Sequence, residues 1–298
     1  FKAEGETDAA LGFRAVANQP EPDRIEQVAG RIAAFLRLQR TPRAARRVAV
    51  LIPDYPSAPG RTGYAVGLDV PSSVLAMLQD LKEAGYAVEG IPDSPRDLLD
   101  MLEQGSEGLS SEDYRRHFAD LPAAPRDAVE QAWGNADAGS FPFRATTFGN
   151  VTVALAPDRG RSEDRRADYH DPTLPPRHEL IAFGLWLRKK LDLHAIVHVG
   201  AHGTLEWLPG KTVALGQSCF PEIVTGSLPV VYPFIVSNPG EAAQAKRRIA
   251  AVTLGHLPPP LASASLDENQ QKLERLVDEY AQADGLDRRR RDRLAKLI

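Results

Sequence analysis

An α/β fold is predicted, with alternating strands and helices, mainly parallel sheet, and helical flanks at both ends. Three observations carry it. Apolar runs of strand length recur along the chain, segments of helical period separate them, and Gly- and Pro-rich loops stand at the junctions. With 298 residues, 43% of them hydrophobic, the chain can build a proper core and more than one lobe.

Residues 1–45 read as a helical flank. In "DRIEQVAGRIAAFLRL", Ile25, Val28, Ile32 and Phe35 share one face, and Asp23 with Glu26 is spaced as a capping box, so a helix packed on the fold by that face is expected. Residues 46–148 read as an α/β segment with a Gly-rich loop and a helical insertion. "RRVAVLIP" is a strand between Arg47 and Pro53, followed by the loop "PDYPSAPGRTGYAVGLD". Pro71 opens a helix with Val74, Leu75, Leu78 and Leu81 on one face, Gly85 ends it, and "YAVEGI" is expected as the next strand, completing a βαβ unit. In "SPRDLLDMLEQG" Ser94 caps a helix, Pro95 opens it and Gly105 follows it; short helices are expected over 112–119 and 125–133.

Residues 149–256 read as a second α/β segment. "NVTVALAP" is a strand, a charged loop follows, and a helix over 176–191 carries His178, Ile181, Leu185 and Lys189 into the strand "AIVHV". "VVYPFIV" is another strand and "PGEAAQAKRRIAAVT" another helix. Residues 257–298 open on "LPPP" and read as a helical flank. The chain starts on Phe1 and closes on the amphipathic "RDRLAKLI", as expected of a piece of something longer.

Composition excludes several classes. With 40 acidic against 36 basic residues the net charge is -4, which gives no electrostatic reason to expect nucleic acid. The run Arg288 to Arg291 lies between Asp287 and Asp292 and reads as a solvated helix face. A single cysteine, Cys219, excludes an internal disulfide framework and a cysteine-based zinc site and suits a reducing cytoplasm. No run approaches the roughly 20 apolar residues of a membrane span, and no signal-peptide pattern is present.

The chemistry concentrates in "IVHVGAHGTLEWLPGK", where His198, His202 and Glu206 recur every four residues. Gly200 and Gly203 argue against one continuous helix. The expected arrangement is a strand ending near Val199, a glycine turn, and a short helix opening near Thr204. The residues leave two readings open, a reactive site or hydrogen-bonded histidines in a loop. Val199 stands where a zinc-protease motif needs Glu, and Leu205 where a phosphate loop would need Gly before "LPGKT", so no ATP site is expected in this chain. The glycines at 60, 63 and 67 do not form a dinucleotide fingerprint. His170, Asp171 and His178 precede the helix that leads into "AIVHV". Trp186 reads as core; Trp207 reads as core or as a stacking surface for a planar ligand.

"HVGAHGTLEWLPGK" resembles the signature of the large subunit of the cobaltochelatases, the CobN and magnesium-chelatase H-subunit family. "DYPSAPGRTGYAVGLDVPSSV" resembles the family's Gly-rich segment in its cobalt rather than magnesium branch, and "LPPRHELIAFGLWLRKKLDLHAIVHVG", "SNPGEAAQAKRRIAAVTLGHLPPPL" and "LERLVDEYAQADGLDRRRR" resemble further family segments in family order, from about residue 46. His194 and the stretch 105–140 match nothing assignable. The resemblance implies insertion of Co2+, as substrate, into hydrogenobyrinic acid a,c-diamide during aerobic cobalamin synthesis. It implies that ATP and Mg2+ are used by separate AAA+ and accessory subunits, CobS and CobT. His198, His202 and Glu206 are then the candidate proton acceptors and transient Co2+ ligands, with His178 nearby. Gly200, Gly203, Thr204, Trp207, Lys211, Asn238 and Arg247 are candidate contacts to the macrocycle. Magnesium insertion into a porphyrin, a non-catalytic tetrapyrrole-binding scaffold and a metallohydrolase are the rival expectations.

Overall fold

The computed structural model describes residues 2–52, 62–65, 67–136, 139–160, 168, 171–200, 205–213, 215–257, 268–283 and 288–298. The chain divides into two compact units, Phe1–Pro258 and Pro259–Ile298. Among the described residues no helix is long and apolar enough to cross a membrane.

The first unit opens on a hairpin ahead of the expected helix: β1 (Lys2–Asp8) pairs antiparallel with β2 (Phe13–Asn18). The Asp8 carboxylate accepts from the Ala10 and Leu11 N–H groups and fixes the turn. Helix α1 (Pro22–Arg40) begins at Glu21 with no side-chain cap, so the Asp23/Glu26 capping box is not used; Pro22 supplies the helical φ instead. The expected packing face is also corrected. Ile25, Val28 and Ile32 are more than half exposed, and α1 docks by its other side. There Arg31 donates to both Glu222 carboxylate oxygens at 3.2 Å and to the Ile249 carbonyl, and Arg37 reaches the Leu193 carbonyl. Periodicity identified the helix but not the side that packs, because the partners are guanidinium groups with long apolar stems.

The body of the unit is a six-stranded sheet, built in chain order as follows. β3 (Val48–Ile52) leads through β4 (Tyr64–Ala65) and β5 (Leu68–Asp69) into α2 (Val70–Glu83) and α3 (Pro95–Gln104). Then come β6 (Ser106–Ser110), α4 (Ser111–Ala119), α5 (Ala123–Trp133), β7 (Ser140–Phe143), β8 (Ala145–Phe148) and β9 (Val151–Leu155). Helix α6 (His178–Leu185) runs on as a π-helical turn at Trp186–Lys190, and β10 (Ala195–His198) follows. The rest is α7 (Phe220–Thr225), β11 (Val230–Ile235), α8 (Pro239–Arg248) and β12 (Val252–His256). Strand order is β12-β11-β10-β3-β9-β8, with only β8 antiparallel to its neighbour.

Both faces of the sheet are covered, which is why β3 and β9 are buried at every position. Ala49, Leu51, Ile196 and Tyr232 face the side covered by α6 and α7, with Ile181 and Val224 among the partners. Val50, Ile52, Val151 and Val153 face the other side, against Val74 and Leu78 of α2 and Leu98 and Leu102 of α3. Caps follow the sequence. Asp69 accepts from the Ser72 N–H, and Ser94 Oγ from the Asp97 N–H at 3.2 Å.

Two expected connections differ. "YAVEGI" forms no ladder: the outer edge of β9 is taken by the adjacent hairpin strand β8, and Gly90 at φ 68 breaks the extended run. The parallel neighbour of β3 is therefore β9. The helix expected through residue 253 stops at Arg248, where Ala250 at φ 52 turns the chain into β12. The described residues of "KTVALG" form no strand.

The second unit contains, among its described residues, α9 (Glu268–Ala283) and α10 (Arg288–Ala295), with Arg290 donating to Glu279 at 3.2 Å.

Candidate functional site

The chain passes from β3 to β9 on one side, then returns across β3 to place β10 on the other. Such a reversal of strand order, beyond the carboxyl ends of β3 and β10, is the usual ligand position in a parallel α/β sheet. "HVGAHGTLEW" leaves β10 at that point. Its first residues are fixed by the neighbouring strands: the Val199 N–H donates to Leu51 O and the Gly200 N–H to Pro233 O, both at 2.9 Å. Gly200 sits at φ 84, and a Cβ there would lie 2.5 Å from Ala65 Cβ, so only glycine lets this turn meet the segment that follows β3. Residues 201–204 lie outside the described residues, and with them His202, Gly203 and Thr204.

His198 ends β10 and is 4% exposed. Strand alternation puts it on the same face as Ile196, where its ring meets the Tyr232 ring edge-on at a centroid distance of 4.8 Å. Burial pushes its imidazole down to about 4, with the Glu241 carboxylate pulling the other way. At neutral pH it is therefore an uncharged ring. Among the described residues its Nδ1 has no hydrogen-bond partner.

After the turn, Leu205–Trp207 form one turn of 3-10 helix in which Glu206 is fully buried and Trp207 is 38% exposed. Three side chains hold this turn. Arg248 donates to Glu206 O at 2.6 Å and to Lys211 O at 3.2 Å. Arg159, 3% exposed, donates to Trp207 O at 3.4 Å and to the carbonyls of Asp171 and Leu174. Glu241 accepts from the Trp207 indole N–H at 2.8 Å. Burial lowers the Arg248 guanidinium, while Cys219 and the Glu206 carboxylate act to raise it. The Cys219 thiol accepts from the Lys211 and Gly216 N–H groups and pins the next loop.

The end of β10 and the turn after it thus carry a neutral imidazole, a buried carboxylate, a buried arginine and an indole whose plane is fixed by its own N–H bond. Such a set can accept a proton, coordinate a cation in passing and stack a flat ligand. Among the described residues no three His, Cys, Asp or Glu side chains converge as a metal site.

The other expected residues are distributed unevenly. Asn238 precedes α8 at the carboxyl end of β11, and Lys211 is exposed on the loop that Cys219 and Arg248 hold. Arg247 is exposed on α8, and its neighbour Arg248 is the arginine that reaches the motif. His178 has both ring nitrogens engaged, Nδ1 with the Tyr114 hydroxyl at 2.5 Å and Nε2 with Gly134 O at 2.8 Å. Neither partner belongs to the set at the end of β10. His194 is explained structurally: its Nδ1 accepts from the Arg47 N–H at 2.9 Å where β10 begins.

Glu241, Arg248 and Arg159 are the site residues that the sequence reading missed. For the first two a signal existed. Glu241, Ala245 and Arg248 stand at i, i+4 and i+7 and are the buried residues of α8, a core-facing stripe with charged ends.

The sequence matches the CobN/Magnesium Chelatase family over residues 3–298. It is 39% identical to the aerobic cobaltochelatase subunit CobN of a Sinorhizobium species, over 100% of this chain and 25% of that protein. It is 40% identical to the aerobic cobaltochelatase subunit CobN of Pseudomonas aeruginosa, over 92% of this chain and 24% of that one. The structure of the catalytic subunit of cobaltochelatase from Mycobacterium tuberculosis superposes with a TM-score of 0.76 at 36% identity, covering 100% of this chain and 27% of that chain. The chain spans about a quarter of the length of these relatives. Family match, whole-chain identity and common fold agree, and the chain belongs to the CobN/magnesium chelatase family.

Proposed function

We propose that this chain carries the metal-insertion centre of an aerobic, ATP-dependent cobaltochelatase, working in the cytoplasm, whose substrates are Co2+ and hydrogenobyrinic acid a,c-diamide. What supports the reading is an uncharged, buried His198 at the end of β10, where the sheet order reverses, followed by a buried Glu206 in the next turn of the chain.

Insertion of a divalent ion into a macrocycle requires that water leave the ion and that protons leave ring nitrogens. An imidazole held down to about 4 is a weak proton acceptor at neutral pH but keeps a free lone pair. His198 is therefore assigned to the ion, as a transient neutral ligand together with His202, and Glu206 to the proton. A carboxylate beside the ring also offsets the charge of the incoming cation. Trp207 supplies an aromatic face for the ring, with Gly200, Gly203 and Thr204 as backbone contacts and Lys211 and Asn238 at the periphery. ATP hydrolysis falls to the AAA+ and accessory subunits, CobS and CobT. This agrees with the absence of a phosphate-loop motif in the chain.

The test is cobalt insertion by the whole subunit with its ATPase partners, comparing Glu206→Gln with the unaltered protein. The expected loss in rate is about 100-fold or more, the scale of a positioned proton acceptor, with macrocycle affinity unchanged by calorimetry. Insertion that survives Glu206→Gln at near-normal rate would falsify the proton assignment. Preference for Mg2+ and a porphyrin in the same assay would move the protein to the magnesium branch. Unchanged macrocycle binding with no insertion of either metal would leave a scaffold.

A further inference from the structure

A second cavity, of about 390 Å3, lies between α4, α5 and the first residue of α6, walled by Tyr114, Phe118, Arg126, Glu130, Asn135 and His178. A smaller one of about 180 Å3 adjoins it at Asn135, Ala136 and His178. Neither shares a lining residue with the hollow beside Trp207 and Arg248.

His178 and Tyr114 are tied up by their own hydrogen bonds. Gly134 O can only accept, so His178 Nε2 carries a proton and donates to it, while Nδ1 is engaged with the Tyr114 hydroxyl. Burial holds the Tyr114 hydroxyl protonated, and the Glu179 and Glu130 carboxylates act in the same direction. Glu130 is exposed at the rim, where water screens it.

Arg126 differs. It is half-buried, it forms no ion pair among the described residues, and its Nε is sealed from water without a hydrogen-bond acceptor. A second guanidinium, Arg115, also lines the cavity. The planar N–H fork of arginine matches a carboxylate. Beside it the Tyr114 and Phe118 rings stack at a centroid distance of 5.3 Å and offer an apolar wall.

We propose that this cavity binds a small organic carboxylate, with its oxygens on Arg126 and its carbon stem against Phe118. The carboxylate has two possible sources, a free acid or a peripheral arm of the macrocycle. The second rests on the function proposed above. The segment 171–178 runs from one hollow to the other: Pro172 lines the one beside Trp207, Pro175 O accepts from the Trp133 indole N–H, and His178 lines the other.

The experiment is calorimetry on the whole subunit with benzoate and its uncharged counterpart benzamide, for the unaltered protein, Arg126→Lys and Arg126→Ala. Arg126 is half-exposed on α5, so neither change disturbs the core. Expected are benzoate binding at least about 10-fold tighter than benzamide, a loss of about 10-fold or more in Arg126→Ala, and partial retention in Arg126→Lys. Equal binding of the two probes, an unchanged Arg126→Ala, or no benzoate binding at all overturns the proposal. Under the proposal, competition between benzoate and the macrocycle identifies an arm of the macrocycle, and simultaneous binding identifies a free acid. Glu206→Gln is expected to bind benzoate normally, so this site and the metal-insertion assignment fail separately.

Discussion

His198 gives this end of the sheet a measurable pH signature. Its folded value of about 4 lies below the roughly 6.5 of a free histidine, so the unfolded chain takes up the proton first as pH falls. The stability it contributes is present above about pH 6.5 and is lost as pH falls toward 4. Between pH 7 and pH 5 this amounts to about 2 kcal/mol for one such group. Urea unfolding at both pH values is expected to show that much less acid sensitivity in His198→Phe; identical sensitivity would mean that His198 is not buried uncharged. Gly200→Ala forces a side chain into φ 84 and against Ala65, with an expected cost of roughly 1–3 kcal/mol in the same measurement. At this scale the sequence was informative about His198, Gly200 and Glu206, because glycines between titratable groups are unusual after an apolar strand. It was silent about Arg159, which donates to backbone carbonyls that the fold brings close. It did not single out Arg248, since adjacent arginines on a helix differ only in which one falls on the buried stripe.

Helix α1 separates periodicity from packing. Its apolar stripe faces outward, and its docking face carries Arg31 on the Glu222 carboxylate. Burial raises that carboxylate's pKa and the arginines around it lower it. Arg31→Ala is expected to cost about 1–3 kcal/mol, because it leaves a half-buried carboxylate short of donors, whereas Ile32→Ser is expected to stay within about 0.5 kcal/mol. The reverse order in thermal unfolding would return the helix to the face that its period suggests. The missing strand at "YAVEGI" has the same lesson. Its residues suit an extended chain, but the antiparallel strand β8, only two residues upstream of β9, reaches that edge first. Competition for a sheet edge is a long-range outcome, and a local pattern does not encode it.

For the molecule as a whole, two apolar layers lie on opposite sides of one sheet, and they are expected to act independently. Leu78→Ala and Ile181→Ala each empty a fully buried position, one per layer, at an expected 2–5 kcal/mol apiece. The double variant is expected to lose the sum within about 0.5 kcal/mol, and a large departure would mean that the layers repack together. The alternation of strands and helices predicted this layered sheet, but not its strand order, which depends on which crossover returns past β3. The three tryptophans sample this architecture in different ways. Trp186 is 4% exposed within one layer, Trp133 is half-buried with its indole N–H on Pro175 O, and Trp207 is 38% exposed in the turn after β10. A water-soluble collisional quencher therefore reaches Trp207 first of the three, and this end of the sheet carries its own optical label without any added dye.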